Sequence, residues 1–393
     1  MSASTREHDV VLFGVTGFTG RLTAEYLARS ADPGLRWAIA GRDLAKLERV
    51  REALVAIDPA LTDLPLVVAD ADDPESLVRL AESAKVVAST VGPYLEHGEP
   101  LLRACAEAGT DYCDLAGEPE FVDRMYLEYD DVARQTGARL VHACGFDSIP
   151  HDIGAFFTMQ HVPSDVPVRL IGVVRASGAI SGGTFASALN QFARSRHVAE
   201  TVRARLAKQP RPEGRRVGTR AKRPHRDKRF GYWLVPLPTI DPIIVARSAA
   251  ALSSYGPDFR YAHYAGVKRL PTVLVGIAGV GSLVVAAQIG PLRRFLLSRM
   301  PAGTGPPEER RARSGFRVRF LAEAGDQVVH TRVSGGDPGY GETAKMLAES
   351  AQCLALDDNP PTVGQQTTAS AMGEHLLARL QRAGMRFEVV ESS

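Results

Sequence analysis

Three glycines near the start of the chain have the spacing of a phosphate-binding loop. Gly14, Gly17 and Gly20 follow an apolar run and precede a helical pattern that begins at Arg21. Such a loop lets backbone N–H groups approach a pyrophosphate, whose charge the helix N-terminus stabilises. The alternative is a plain turn that needs positive φ angles. The flanking strand and helix favour a dinucleotide site. The residues expected to bind are Gly14, Thr16, Gly17, Phe18, Thr19 and Gly20.

The end of the second predicted strand indicates which dinucleotide would bind. Sites for NAD usually place an acidic residue there to bond the ribose 2′-hydroxyl, whereas this sequence has Gly41 and Arg42. A small residue followed by arginine leaves room for a 2′-phosphate and supplies a cation with matching donors. The pattern therefore predicts NADP(H), with Asp70 after the third strand as a further contact. The alternative is that Arg42 simply faces solvent.

The loop after the fourth predicted strand should lie beside the same cofactor. The strand is nearly all apolar, as expected for a strand covered on both faces. The ligand crevice of an open parallel sheet lies at the carboxyl ends of its strands. We therefore expect Val91, Gly92 and Pro93 to line the site and Tyr94 to lie near its reactive end. An ordinary aromatic residue in a turn is an equally good interpretation of Tyr94.

The loop after the sixth predicted strand holds a second group of side chains that could move protons. They are Cys144, Asp147, Ser148, His151 and Asp152. Any of them could donate a proton or orient a substrate. The alternative is a hinge in which Asp147 and Ser148 cap the next helix and His151 lies on the surface. We favour the capping role for Asp147 and Ser148, which does not exclude a position close to a nicotinamide.

These residues need a scaffold, and the alternation of strands and helices predicts one. Six apolar strands alternate with helices, two of which have Asp43 and Asp73 at their predicted starts. This pattern predicts an α/β fold with an N-terminal Rossmann domain, a doubly wound parallel sheet. After Pro163 the pattern favours an α+β domain on a mostly antiparallel sheet, with a hairpin around 323–326. The predicted divisions are 1–150, 151–335 and 336–393, with the C-terminal helices packing back on the first domain.

Two further motifs have simpler explanations. Residues 181–184 (SGGT) precede a helical pattern and could accept an anion or a carbonyl oxygen. A capped turn is the favoured interpretation. Tyr264 and Lys268 have the Tyr-x-x-x-Lys spacing of short-chain reductases. They lie far outside the nucleotide domain, and we treat that match as coincidence.

Bulk composition narrows the class of protein. The 393 residues carry a formal net charge of +2, which says little about partners. The four cysteines form no C-x-x-C pair and no zinc-ligand cluster, so we expect reduced thiols and no metal. The N-terminus lacks an apolar signal core. Together these features predict a cytoplasmic protein.

Basic residues are concentrated in 194–229, a stretch with few large apolar residues. Most such runs are solvated and mobile. This one could bind nucleic acid, anionic lipid or an acidic protein. Aromatic residues are almost absent and no nucleic-acid-binding fold surrounds the run, so nucleic acid ranks last and we expect no such partner.

Residues 270–290 are the most apolar part of the chain and are long enough to span a bilayer. They also contain Pro271, Gln288 and several glycines. The favoured interpretation is a buried helix or a homodimer interface. Shallow membrane association, which Arg293 and Arg294 would suit, ranks second, and a true span ranks last.

Taken together, the motifs resemble those of the saccharopine dehydrogenase-like oxidoreductases over essentially the whole chain. The segments that carry the resemblance are 14–20, 40–42, 91–94, 111–118, 144–150, 337–340 and 343–349. The sequence is similar to the trans-acting enoyl reductase branch known from actinobacteria. Residues 364–369 depart from the family pattern, so the role of that loop is in doubt.

The resemblance implies a Rossmann domain, NADP(H), and hydride transfer to a carbon–carbon double bond of an acyl chain on a polyketide synthase, in the synthesis of complex lipids. Such a reaction needs a polarised carbonyl and a proton for the α-carbon. Tyr94 is the first expected donor and His151 the second. Residues 270–290 would line an acyl channel, and the basic run would dock an acidic carrier domain. The alternatives are reduction of a carbonyl or imine, and an NADP-binding, lipid-associated protein without turnover.

Overall fold

The N-terminal part of the chain alternates strands and helices. The computed structural model describes residues 6–177, 189, 191, 193–299 and 307–390. The strands are β1 His8–Phe13, β2 Trp37–Gly41, β3 Leu66–Val68, β4 Ala84–Ser89, β5 Asp111–Asp114 and β6 Arg139–Val141. The helices are α1 Phe18–Ser30, α2 Leu44–Val55, α3 Pro74–Ser83, α4 Tyr94–His97, α5 Glu99–Ala108, α6 Pro119–Thr136 and α7 Ile149–Met159. The motif at 181–184 lies outside the described residues.

The remaining elements form a second sheet, one further strand of the first sheet (β14), and the helices that pack on the two sheets. The strands are β7 Val168–Ser177, β8 Arg216–Thr219, β9 His225–Asp227, β10 Tyr232–Pro236, β11 Asp258–Val267, β12 Gly315–Ala324, β13 Gln327–Gly335, β14 Gly364–Gln366 and β15 Arg386–Val390. The helices are α8 Ser195–Lys208, α9 Asp241–Ala251, α10 Leu270–Gln288, α11 Gly290–Arg299, α12 Glu308–Ala312, α13 Gly341–Leu356, α14 Thr368–Ala371 and α15 Gly373–Arg382.

The two sheets confirm the predicted fold class. The first is parallel throughout, in the order β14-β6-β5-β4-β1-β2-β3. The second has the order β15-β13-β12-β7-β11-β10-β9, and β8 also pairs with β11. Only the pairings of β11 with β7 and β8 are parallel among the described strands of this sheet. Since one continuous apolar core joins the two sheets, the divisions at 150 and 335 stay predictions.

Local signals at the helix starts are confirmed. The side chain of Asp43 accepts a hydrogen bond from the Lys46 N–H, and that of Asp73 accepts from the N–H groups of Glu75 and Ser76. Strand β1 is buried along its whole length, which fits its central position in the sheet. The glycine loop that follows β1 is therefore fixed at the middle of the carboxyl edge.

The seventh strand of the parallel sheet comes from the C-terminal part of the chain, where the sequence predicted none. Gly364 pairs with Arg139, so β14 extends the sheet beyond β6. The N–H of Gln365 donates to Asp130 Oδ1 (2.7 Å), and its side-chain amide donates to the Val122 carbonyl (2.8 Å). The loop whose role was in doubt is thus an edge strand, and three residues are too short to show a strand period.

Helices α13 and α15 hold the end of the chain against the first domain. Helix α13 packs on α1, β1 and β4. The buried guanidinium of Arg379 in α15 contacts three carboxylates: Asp357 (2.6 Å), Asp32 (2.7 Å) and Glu349 (3.4 Å). Asp32 follows α1, so this one side chain joins two distant parts of the sequence.

Replacing Arg379 with methionine should therefore destabilise the protein. Removing one partner of a buried ion pair leaves charges without compensation and typically costs about 3–5 kcal/mol. We expect the free energy of unfolding in urea to fall by about 3 kcal/mol. Arg382 lies on the same helix, is exposed and has no ion pair among the described residues, so Arg382→Met is the matched control. Equal urea midpoints for the two variants would contradict the assignment.

The basic run forms regular secondary structure, although its composition is typical of a solvated and mobile segment. It contributes α8, β8 and β9, and several of its cations pair with acidic residues. The pairs include Arg194–Glu120, Arg205–Asp123, Lys208–Asp131 and Arg229–Asp227. A second set of cations is exposed without an acidic partner among the described residues: Arg220, Lys222, Arg223, Arg226 and Lys228.

The apolar segment forms α10, which is not a helix of the protein's own core, so the first of the two favoured interpretations, a buried helix, is wrong. Only Val273, Ala286 and Ala287 are buried within α10. Val275 is 73% exposed and Val285 62% exposed. The side chains that were expected to line an acyl channel therefore point away from the protein's own core. Membrane association and a homodimer interface stay open.

Candidate active site

The glycine loop after β1 has the geometry of a phosphate cradle. Gly14 has φ +89°, and a Cβ there would lie 2.6 Å from Val91 Cγ2. A Cβ on Gly20 would lie 2.4 Å from the carbonyl oxygen of Gly14. A larger residue at either position would force the loop and α1 apart. The loop could then no longer approach a pyrophosphate as closely as binding needs.

The N-terminus of α1 points out of this loop with its backbone N–H groups available. Helix α1 begins at Phe18, and in the described part of the chain no side chain caps it. Thr16 and Gly17 are exposed, while Phe18 and Thr19 are half-buried. Uncapped N–H groups at a helix start bind anions, since both the donors and the helix dipole favour negative charge. These residues fit a dinucleotide pyrophosphate.

A groove beside the loop has the charge that a 2′-phosphate needs. Its volume is about 210 Å³, and it is lined by Val15, Thr16, Arg21, Lys46, Arg49 and Val50. A Cβ on Gly41 would lie 3.9 Å from Thr16 Cγ2, so the end of β2 borders this groove. Arg42 is exposed directly after β2 and has no ion pair among the described residues. The sequence interpretation missed Lys46 and Arg49, although their spacing on α2 places both on one helix face.

These cations should determine the preference for NADPH over NADH. A charge-assisted hydrogen bond to phosphate contributes about 1.5–3 kcal/mol. We expect Lys46→Ala/Arg49→Ala to weaken NADPH binding by about tenfold or more and to leave NADH binding unchanged. Arg42→Ala should act in the same direction.

Calorimetric titration of both cofactors measures this effect. Arg79→Ala, at an exposed arginine of α3 that lies 3.9 Å from the exposed carboxylate of Glu75, is the control for loss of a surface charge. An NADPH/NADH affinity ratio that stays at the wild-type value in the double variant would remove this groove from the cofactor site.

The loop after β4 is tied to the glycine loop. Thr90 Oγ1 lies 3.1 Å from the carbonyl oxygens of both Phe13 and Gly14 and donates to them. Gly92 is exposed, while Val91 and Pro93 are half-buried at the carboxyl edge. Asp70 is half-buried at the same edge, directly after Ala69, whose N–H donates to the Gly41 carbonyl. Cofactor contacts from these four residues stay predictions.

Tyr94 has a structural role in this arrangement. Its ring is buried, its hydroxyl donates to the Ser89 carbonyl (3.0 Å), and the Leu115 N–H donates back to the same hydroxyl (3.1 Å). Burial raises the pKa of the Tyr94 hydroxyl well above its usual value. The hydroxyl therefore holds the ends of β4 and β5 together. Its role as a proton donor stays a prediction, and it would require breaking the bond to Ser89.

Asp147 lies where the loops after β5 and β6 meet. A Cβ on Gly117 would lie 3.0 Å from Asp147 Oδ1, and one on Gly145 would lie 3.4 Å from Oδ2. The two glycines thus make room for this half-buried carboxyl group. Burial, followed by the negative charges of Asp241, Asp114 and Glu118, raises the pKa of Asp147 to about 7. A carboxylic acid with that pKa exchanges protons readily at neutral pH.

The expected capping role of Asp147 and Ser148 is wrong. Ser148 is the N-cap residue of α7, but no described side chain caps this helix. The preceding turn supplies one backbone acceptor instead, since the N–H groups of Ser148 and Ile149 both donate to the Gly145 carbonyl. The carboxyl group of Asp147 is therefore not committed to the helix and points towards the crevice loops.

His151 belongs to a buried cluster between the two sheets. Its Nδ1 lies 2.6 Å from Asp241 Oδ1, and Asp241 Oδ2 lies 3.7 Å from Nε2 of His263. Burial lowers the pKa of His263 to about 4, outweighing the opposing charge of Asp241. Burial alone would raise the pKa of Asp241, but the two histidines outweigh it and lower the value. His151 is thus neither a surface residue nor isolated.

Sequence reasoning did not predict the partners of His151. Asp241 opens α9 and His263 lies in β11, and no local pattern links either of them to α7. The remaining candidates in the loop after β6 have structural roles. Asp152 accepts hydrogen bonds from Ser248, Thr368 and the Ala369 N–H, and Cys144 is fully buried.

Comparison with known proteins agrees with this geometry. Residues 10–141 match the family model for the saccharopine dehydrogenase NADP-binding domain. A putative trans-acting enoyl reductase of Mycobacterium tuberculosis H37Rv is 37% identical over 421 residues, covering 99% of both chains. A trans-acting enoyl reductase of Mycobacterium ulcerans is 34% identical over 420 residues, covering 98% of both chains. The chain belongs to the saccharopine dehydrogenase-like trans-acting enoyl reductase family.

Membership of this family makes the protein an NADP-dependent oxidoreductase. Among solved structures, apo saccharopine dehydrogenase (L-Glu forming) from Saccharomyces cerevisiae aligns with a TM-score of 0.56. The alignment covers 97% of this chain and 99% of the yeast chain at 12% identity, which shows a shared fold and no more. The matched NADP-binding domain contains the glycine loop, the cationic groove and the loop after β5, while Asp147 lies six residues beyond its end.

Proposed function

We propose that the protein is a trans-acting enoyl reductase that reduces an α,β-unsaturated acyl thioester held by a polyketide synthase during lipid synthesis. The observation that carries this proposal is the 34–37% identity to trans-acting enoyl reductases over nearly the whole of both chains. The site supports it, since an acidic group lies at the carboxyl edge of the sheet, where the nicotinamide of a Rossmann domain binds.

The reaction requires a hydride, a proton and a site that tolerates transient negative charge. The reduced nicotinamide, when bound, supplies the hydride to the β-carbon. The electron pair of the double bond then moves to the α-carbon and the thioester oxygen, and the α-carbon takes up one proton. The balance is one NADPH and one proton consumed for each double bond reduced.

Asp147 is the residue that we propose as the source of that proton. Its carboxyl group is half-buried between the loops after β5 and β6, and its pKa of about 7 keeps a large fraction protonated at neutral pH. The hydroxyl of Tyr94 is engaged with two backbone groups, and His151 is buried against Asp241. The geometry therefore favours Asp147 over both residues.

The proposed substrate reaches the site on a carrier domain. The exposed cations at 220–228, which lack acidic partners among the described residues, would attract an acidic carrier. The proposal also includes peripheral contact with a membrane, because long acyl chains partition into bilayers. A small interface with complementary charge suits a partner that binds, reacts and leaves.

Oxidation of NADPH on addition of defined thioesters tests the proposal. We expect a trans-2-enoyl thioester to be reduced, while a 3-ketoacyl thioester and a cyclic imine are not. Oxidation driven only by the ketone or the imine would assign the protein to the alternative reductase classes. NADPH binding without turnover of any of these substrates would favour the non-catalytic alternative.

A further inference from the structure

We propose that α10 and α11 form a membrane anchor that inserts into the headgroup and acyl boundary of an anionic phospholipid bilayer. This inference deepens the membrane contact in the proposed function by naming its surface. It does not depend on which substrate the enzyme reduces, because α10 and α11 are remote in sequence from the catalytic loops.

Exposed apolar side chains cover most of the circumference of α10. Leu274, Val275, Ile277, Val280 and Val285 are between 47% and 73% exposed. At 3.6 residues per turn these positions occupy more than half of the helix circumference. A surface helix of a soluble domain normally has a narrower apolar stripe facing the core, with polar residues opposite.

The composition of α10 is also that of a membrane-contacting helix. No charged residue occurs between Leu270 and Ile289. In the described part of the chain, α10 is the one helix long and apolar enough to cross a membrane. A Cβ on Gly276, Gly279 or Gly281 would meet no atom within 4 Å, so these glycines do not mark a close packing partner within the chain. Helix α11 continues the surface with Leu292, 39% exposed, and Phe295, 51% exposed.

Cations border this apolar surface at both ends. Lys268 and Arg269 immediately precede α10, while Arg293 and Arg294 lie in α11. Lys268, Arg269 and Arg294 are exposed and Arg293 is half-buried, and none of the four forms an ion pair with another described residue. Cations at the ends of an apolar helix bind anionic headgroups, each contributing about 1 kcal/mol near such a surface. This arrangement favours a bilayer over a second copy of the chain, whose matching cations would lie opposite in an isologous contact.

The sheet places an aromatic residue and a further cation at the base of α10. Trp233 pairs with Val267 on one side and with Arg226 on the other. Val267 is the last residue of β11, two residues before Arg269. The half-buried Trp233 and the exposed Arg226 thus lie on β10 and β9, the next two strands beside the end of β11 that leads into α10. Tryptophan and arginine are enriched at the boundary between headgroups and acyl chains.

The chain path limits how deeply the anchor can insert. Helix α10 is about 28 Å long at 1.5 Å per residue, which would match a bilayer core. However, the chain returns to β12 of the same sheet, and α11 carries Arg293 and Arg294. A segment with those charges does not cross the hydrocarbon. Helices α10 and α11 therefore lie in one leaflet.

Vesicle binding tests the anchor directly. We expect the full-length protein to cosediment with vesicles containing about one-third phosphatidylglycerol in phosphatidylcholine, and to bind pure phosphatidylcholine more weakly. Val275→Glu/Val285→Glu should lower binding by about tenfold or more, since charged residues are costly in the acyl region. Lys268→Glu/Arg269→Glu should lower binding to the anionic vesicles only. Val68→Glu, at a 52% exposed valine of β3, is the matched control.

Tryptophan fluorescence gives a readout that is independent of turnover. The chain has two tryptophans, and Trp37 is buried in β2. In a Trp37→Phe background, nitroxide-labelled lipids should quench Trp233 strongly with labels near the headgroup and weakly with labels at the chain end. NADPH affinity should be unchanged in every anchor variant, which shows that the fold is intact.

Two results would overturn the anchor. One is equal vesicle binding by the wild type and Val275→Glu/Val285→Glu. The other is a wild type that binds no vesicles but dimerises in solution, with the glutamate variant monomeric by light scattering. Failure of enoyl reduction with vesicle binding intact would refute the proposed reaction and leave the anchor standing.

Discussion

Gly20→Ala is expected to lower NADPH affinity by about 100-fold or more while the protein remains folded. The added Cβ would lie 2.4 Å from the Gly14 carbonyl oxygen and 2.6 Å from Thr90 Oγ1. Since the first of these atoms is backbone, the loop or α1 must move. The pyrophosphate depends on close approach to this loop, and a loss of about 2.7 kcal/mol in binding corresponds to the stated change.

Fluorescence titration with NADPH measures the effect, with circular dichroism as the check on folding. The matched control is Gly276→Ala, because the added Cβ meets no atom within 4 Å there. The control should bind NADPH like the wild type. Wild-type affinity in folded Gly20→Ala would mean that the cofactor does not use the loop after β1.

Asp147→Asn is expected to lower kcat by 10²–10⁴-fold without changing NADPH affinity. General acid catalysis typically contributes about this factor, and asparagine keeps the shape of the side chain but has no acidic proton. The carboxyl group lies between Gly117 and Gly145, so an isosteric amide should fit. Asp326→Asn, in the turn between β12 and β13, is the control for loss of a carboxylate elsewhere.

The pH profile adds a second readout for the same residue. Because the pKa of Asp147 is raised to about 7, the protonated form predominates below pH 7 and is lost above it. The wild-type rate should therefore fall as pH rises through about 7. The residual rate of Asp147→Asn should not show this decrease. Full activity of the variant, or the same decrease in its rate above pH 7 as in the wild type, would contradict the role of Asp147 as the proton donor.

The raised pKa of Asp147 also makes the free energy of unfolding depend on pH. Between the usual aspartate pKa and about 7, the folded protein holds this proton more tightly than the unfolded chain does. The contribution of Asp147 to stability therefore decreases as pH rises through that window. Asp147→Asn should weaken this part of the pH dependence of the urea midpoint.

The sequence predicted well wherever the signal was local. The glycine loop, the Gly41–Arg42 pair and the caps at Asp43 and Asp73 each depend on residues within a few positions of one another. Backbone sterics and capping bonds act over that range, so their patterns can be seen in a single sequence. The cofactor assignment followed from these features.

Contacts between distant parts of the chain could not be predicted in this way. Asp241 and His263 meet His151 only because the second sheet packs on α7, and β14 joins β6 across more than 200 residues. Tyr94 illustrates the same limit. Its position at the edge was expected, but the two backbone partners of its hydroxyl are set by the spacing of β4 and β5.

Apolar composition alone also did not distinguish a core helix from an exposed one. The residues of α10 would suit a buried helix, and their exposure depends on what the rest of the chain leaves uncovered. The loop after β6 shows the reverse case. Asp147 and Ser148 have the residue types of a cap, yet the Gly145 carbonyl accepts the first N–H groups of the helix, which leaves the carboxyl group of Asp147 available for chemistry.

We propose that the NADP site and Asp147 together add hydrogen across a conjugated carbon–carbon double bond. Isotope labelling of the product tests this most directly. With 4-deuterated NADPH in H₂O, mass spectrometry should find one deuterium at the β-carbon of the saturated thioester. With unlabelled NADPH in D₂O, it should find one at the α-carbon. No saturated thioester, or a hydroxy product with deuterium on the carbinol carbon, would contradict the account.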